Sequence, residues 1–106
     1  MKEQLLALRD GESDFTWLML GYGDDPKTLE LMTTGEGGRE EVAEKLPGDK
    51  VVYVVLKEDE SSQRCLLVKW MGREVPRMRR AAVGPHWAAV QDFVRASVPQ
   101  LDAKQL

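Results

Sequence analysis

Two runs of eight residues constrain the fold more than anything else in this chain. Residues 50–57, KVVYVVLK, are almost continuously apolar and rich in β-branched side chains, and residues 64–71, RCLLVKWM, are nearly as apolar. A strand with one wet face alternates apolar and polar positions, whereas one that is apolar at both parities is buried on both faces. The polar stretch EDESSQ at 58–63 reads as an exposed loop between them. The pair is therefore predicted to be an antiparallel hairpin in the middle of a sheet.

The remaining elements arrange themselves around that hairpin. KEQLLALR at 2–9 is made of strong helix formers and gives a helix of about two turns, with Gly11 placed to stop it. FTWLMLGY at 15–22 is apolar at both parities and reads as a further central strand. GDDPK at 23–27 is a turn, and residues 28–33 return as a second strand, with Leu29 and Leu31 facing one way. TGEGG at 34–38 reads as a flexible turn. REEVAEKL at 39–46 is a short amphipathic helix with Val42, Ala43 and Leu46 on one side, ended by Pro47-Gly48. After the basic segment, His86, Trp87, Val90, Phe93 and Val94 form an apolar stripe at helical spacing. Gly84-Pro85 is expected to break that last long helix, since proline lacks the backbone donor. VPQLDAKQL at the end gives at most a short strand or turn. Two hairpins joined through a short helix predict an α/β (α+β) fold. A central mixed sheet of four to five strands is flanked by helices on both faces. Trp17, Leu29, Leu31, Val52, Val54, Leu66, Val68, Trp87, Val90 and Val94 are expected in its core.

A chain of 106 residues fits one domain, 1–106, and its 42% apolar and 31% charged residues are those of a globular protein. No apolar run reaches the roughly 18 residues that span a bilayer, and the N-terminus has no signal-peptide pattern. One cysteine, Cys65, cannot form an internal disulfide, so a reducing compartment is expected. One cysteine and one histidine, His86, in separate elements give no zinc signature, and no phosphate loop is present. No catalytic residue, metal ligand or cofactor site is assigned, and an enzyme is not expected. Asp24-Asp25 and Glu40-Glu41 read as turn and solvated-helix acids.

The feature that points to function is charge. The chain is acidic, with a formal charge of -3, yet Arg73, Arg77, Arg79 and Arg80 fall within eight residues that hold a single acid, Glu74. The local excess is about three positive charges. Like charges at helical spacing repel one another, so the cluster costs stability unless something offsets it. A solvated helix face is one reading. A docking surface for an acidic partner is the other, and the acidity of the rest of the chain favours it. Arg73, Arg77 and Arg80, at i, i+4 and i+7, share a face if the helix already includes Arg73; Arg79 then points elsewhere.

Three stretches in order resemble one family: TGEGGREEV at 34–42, KVVYVVLKEDESSQRCLLVKWMGREVP at 50–76 with its Trp-x-Gly-x-x-Val-Pro exit, and RRAAVGPHWAAVQDF at 79–93. The strand begun by Trp17 fits as well. Together these resemble the actin-depolymerising-factor homology (ADF-H) domain, of ADF-H/gelsolin-like architecture, and within it the drebrin-like and coactosin-like branch of the cofilin family.

That resemblance implies a non-catalytic actin-binding module of the cytoplasm and cytoskeleton. It implies contacts from the start of the long helix: Arg79 and Arg80 on the family's basic pair, Arg73 and Arg77 steering, and an apolar contact from Met78 or Val75. Met78 stands where cofilins carry a basic residue, so the resemblance implies a non-severing protein, and the drebrin-like and coactosin-like branch implies one that prefers filaments. Lys57, Arg64 and Lys69 of the strand hairpin are weaker filament-side candidates. The alternative is a scaffold of the same fold that binds another protein or phosphoinositide headgroups through the same patch. No nucleic-acid partner is expected, and a monomer is. The first helix is shorter than the family's, the N-terminal actin-touching arm has no counterpart, and the chain stops just past the long helix, where relatives add a strand and a helix.

Overall fold

A computed structural model describes residues 2–22, 28–58 and 63–105. The element order is α1 (Lys2–Asp10), β1 (Trp17–Tyr22), β2 (Leu29–Gly35), α2 (Arg39–Lys45), β3 (Val51–Lys57), β4 (Cys65–Met71), α3 (Arg77–Val83), α4 (His86–Ser97) and β5 (Leu101–Gln105). The strands form one sheet in the order β2-β1-β3-β4-β5. Every pairing is antiparallel except β4 with β5, which is parallel, so the sheet is mixed.

The continuous apolar runs are explained by two cores, one on each face. Leu18, Leu20, Val51, Tyr53, Val55, Cys65 and Leu67 point to one side, where they meet Leu5 and Leu8 of α1, Val83 of α3, and Val90 and Val94 of α4. Trp17, Met19, Val52, Val54 and Leu56 point to the other, where Val42 of α2 and Leu46 just after it cover them. Successive side chains of one strand thus enter different cores.

The first helix ends in a capping motif. Gly11 adopts φ +72, the left-handed conformation that favours glycine. Its N–H donates to the Leu8 carbonyl and that of Glu12 to the Ala7 carbonyl, the paired bonds of a Schellman turn. At the other break, Gly84-Pro85 separates α3 from α4, as the missing proline donor predicts.

Several expectations need correction. Thr34 and Gly35 are not turn residues but the end of β2, paired with Leu18 and Trp17. Leu31 is 37% exposed rather than buried, because β2 lies at the sheet edge and a register shift between Met19 and Leu20 bends it. Leu29, Val68 and Trp87 are half-buried; the other six core assignments are buried. The terminal segment adds a full strand, β5, so a strand does follow the long helix. The turn at 23–27 and most of the loop at 58–63 lie outside the described residues.

Candidate functional site

The basic segment leaves β4 through a corner built from backbone contacts. The Trp70 indole N–H donates to the Pro47 carbonyl at 2.6 Å. Two residues on, Gly72 lies so close to the Pro47-Gly48 backbone that a β-carbon would overlap it. The Gly72 N–H donates to the Lys50 carbonyl and that of Glu74 to the Gly48 carbonyl. Val75 closes the corner at 5% exposure, and Pro76, with φ -59, precedes the first turn of α3. The Trp-x-Gly-x-x-Val-Pro pattern is thus a physical device. Indole and glycine dock the loop before β3, valine seals the core, and proline starts the helix with a preset φ.

Arg80 completes that device from the helix side. Its guanidinium donates to the carbonyls of Gly72 (2.9 Å), Val75 (3.0 Å) and Arg73 (3.2 Å). Arg79 turns the other way, half-buried, with its guanidinium carbon 4.7 Å from the centre of the Tyr22 ring. The Tyr22 hydroxyl lies 2.7 Å from that of Tyr53 and 3.2 Å from His86 Nδ1. Tyr53 in turn stacks on Trp87. Burial, with the hydrogen bond to Tyr22 adding to it, holds the Tyr53 phenol far above its usual range, so the Tyr53 hydroxyl keeps its proton.

What remains faces solvent. Met78 is 86% exposed at the first turn of α3, the most exposed large apolar side chain among the described residues. Arg73 and Arg77 are exposed, and neither side chain has a hydrogen bond or ion pair among the described residues. The cluster expected to act as a set is therefore divided. Arg73 sits in the turn before α3, so its expected helical face with Arg77 and Arg80 does not form. Val75 is buried, so of the two apolar candidates only Met78 faces solvent. Arg79 and Arg80 are not a freely exposed pair: one lies over an aromatic ring and the other clamps a turn.

The hairpin candidates are mostly structural. Lys69 is 6% exposed, packed with its ammonium 6.0 Å from the Trp87 ring centre, and burial removes it as a surface contact. Lys57 donates to the carbonyls of Arg9 (2.9 Å) and Leu8 (3.3 Å), capping the last turn of α1. Arg64 is exposed and pairs with Asp102 at 3.5 Å.

Glu41 also departs from expectation. It accepts the Trp17 indole N–H at 3.0 Å rather than facing solvent. Gly35 packs against the same ring and carboxylate with no room for a β-carbon, and the Thr16 hydroxyl donates to the Gly37 carbonyl. The GEGG-x-x-Glu pattern therefore fixes α2 onto the second core. The described residues hold no group of metal-ligating side chains, and no helix among them is long and apolar enough to cross a membrane.

Comparison with known proteins places the fold. Residues 1–105 match the family model described as cofilin/tropomyosin-type actin-binding protein. A mouse drebrin-like protein is 23% identical over 107 residues, covering 98% of this chain and 24% of its own. The chain thus spans about a quarter of the length of the curated relatives it matches. Among solved structures, the cofilin homology domain of a yeast actin-binding protein superposes with a TM-score of 0.74 at 19% identity, covering 98% of this chain and 79% of that one. Mouse coactosin, described as an actin filament binding protein, superposes at 0.71 with 17% identity, over 99% and 75%.

Proposed function

The chain belongs to the cofilin/tropomyosin-type actin-binding family, as an ADF-H domain of the drebrin-like and coactosin-like branch, and on that premise we propose that it is an actin-binding module that prefers filaments and does not sever them. The contact surface is the corner formed by residues 72–80. One observation carries the reading: Met78, 86% exposed, stands between Arg77 and Arg79 on a corner held rigid from both sides. A rigid apolar knob ringed by guanidinium groups suits an acidic protein surface with an apolar hollow.

Within that surface the residues take different parts. Met78 makes the apolar contact. Arg77 and Arg73 steer the encounter and pair at the rim, where screening by salt is strong. Arg79 supplies a held guanidinium, and Arg80 acts by keeping the corner in shape while its charge adds to the local field. Arg64 is kept as a secondary filament-side contact, since its side chain is exposed. The non-severing part of the proposal follows from an uncharged Met78 at a position that is basic in cofilins.

Co-sedimentation with actin filaments across several salt concentrations, beside flotation with anionic vesicles, tests the reading. Binding to filaments that weakens with salt and is lost in Arg77→Glu supports it. Retention on vesicles without filament binding replaces it with the phosphoinositide scaffold.

A further inference from the structure

We propose that Tyr22 is a positioning residue of the contact surface: it holds the Arg79 guanidinium in place, donors unspent, for a carboxylate of the partner. The inference rests on the actin-binding reading above and goes beyond it by assigning a role to a residue 57 positions away in sequence. Three observations converge. The guanidinium lies over the Tyr22 ring at 4.7 Å, within the range of a cation–π contact. The ring is itself held, since its hydroxyl is engaged by both Tyr53 and His86 and its face lies edge-on to Tyr53 at 5.9 Å between centres. Finally, among the described residues Arg79 has no hydrogen bond or ion pair.

That combination is unlike the other arginines of the cluster. Arg80 has spent its donors on three carbonyls. Arg73 and Arg77 are exposed, with no described group holding them, so binding must first order their long side chains. A guanidinium held over a ring has lost much of that freedom before the partner arrives, and its N–H donors are engaged by no side chain or carbonyl among the described residues. Arg79 also lines a cleft of about 160 Å³ with Tyr22, Lys50, Asp49 and Val75. Lys50 adds a second cation to that cleft and Asp49 a single countercharge, which leaves it net positive. A carboxylate on a protein surface, delivered at the rim and paired in two-point fashion with Arg79, fits this arrangement.

The test is a double-mutant cycle in filament co-sedimentation, with Tyr22→Leu, Arg79→Ala and the pair, plus Tyr22→Phe and Arg79→Lys. Tyr22→Leu is expected to weaken binding about three- to tenfold in the wild-type background and less than about twofold when Arg79 is already alanine. Tyr22→Phe, which keeps the ring, retains most of the affinity. Arg79→Lys, which keeps charge and loses the fork, falls nearly as far as alanine. A second readout needs no actin: the Arg79 side-chain Nε–H resonance is ring-current shifted in wild type and Tyr22→Phe, and loses that shift in Tyr22→Leu. Equal losses from Tyr22→Leu in both backgrounds, or an unshifted Arg79 resonance in wild type, overturn the positioning role. Wild-type protein that fails to pellet with filaments overturns the actin reading, and this inference with it, while the resonance still reports whether Tyr22 holds Arg79.

Discussion

Replacing Arg80 with alanine removes three hydrogen bonds that close one turn. In each, a charged donor meets a backbone carbonyl, at 2.9, 3.0 and 3.2 Å. A buried hydrogen bond to a charged group is worth roughly 1.5–3 kcal/mol. Arg80 is exposed, water competes for the same carbonyls, and two of the bonds share one guanidinium nitrogen, so the sum is taken as about 1–2 kcal/mol. For a domain near 100 residues each kcal/mol lowers Tm by about 4–8 °C, which sets the expected fall at about 4–16 °C. Arg77→Ala serves as the control, because that side chain has no described partner, and a surface change of this kind stays within about 0.5 kcal/mol. Arg80→Lys keeps the charge but has no fork to span three carbonyls, so it recovers less than half of the loss. Thermal melts followed by far-ultraviolet circular dichroism, with urea midpoints beside them, measure all three. If Arg80→Ala melts within about 1 °C of both wild type and Arg77→Ala, the carbonyl clamp contributes nothing, and Arg80 returns to being a surface charge.

Other consequences are as direct. Gly72→Ala places a β-carbon against the Gly48 and Pro47 backbone, which has no flexible end to move, so a loss of about 2–4 kcal/mol in the urea midpoint is expected. Val54, fully buried in the second core, loses about 1–3 kcal/mol as Val54→Ala; an unchanged midpoint would remove it from that core. Burial pushes the Cys65 thiol up to about 11, from an ordinary value of 9.0. A raised value favours the folded state while the thiol is protonated, so this contribution is intact below about pH 9 and is lost as pH rises towards about 11. Cys65→Ala therefore has a flatter alkaline stability profile over that window than wild type, and an identical slope would contradict the assignment.

The strands were legible because their signal is local. Residues 50–57 and 64–71 are apolar at both parities, and only a central strand between two layers accommodates that. Gly11 and Gly84-Pro85 likewise announce helix ends through backbone chemistry that needs no knowledge of the rest of the fold. Leu31 misled for the opposite reason: alternation shows which side chains share a face, not whether anything covers that face at the sheet edge. The end of the chain misled too, since β5 is held by parallel pairing to β4, a long-range bond with little trace in a stretch as polar as LDAKQ.

The candidate site divides the same way. That the arginines cluster was readable, but whether Met78 or Val75 faces outward was not, since it depends on the helix starting after Pro76. Which arginine does what was not readable either. The roles of Arg79 and Arg80 depend on Tyr22, 57 residues away, and on carbonyls whose positions follow from how the corner docks onto Pro47-Gly48. Glu41 was hidden similarly, since its partner Trp17 lies on another strand. A glycine-rich run before a short acidic helix was the available signal, because close backbone approach to a bulky ring is one reason for glycine. Lys57 and Lys69 show the converse: a basic residue on a strand hairpin looks available in sequence, although one caps a helix and the other lies under a tryptophan.

The most direct test of the account is filament co-sedimentation of the Arg77→Ala/Met78→Ala double variant against wild type. Both side chains point away from the fold, so the variant is expected to melt with wild type, and any loss belongs to binding. Wild type pellets with filaments, less so as salt shortens the reach of the arginines from about 10 Å at 0.1 M. The double variant binds at least about tenfold more weakly, equivalent to 1.4 kcal/mol. A folded double variant that pellets as well as wild type would contradict the central claim and move the contact surface away from the corner of residues 72–80.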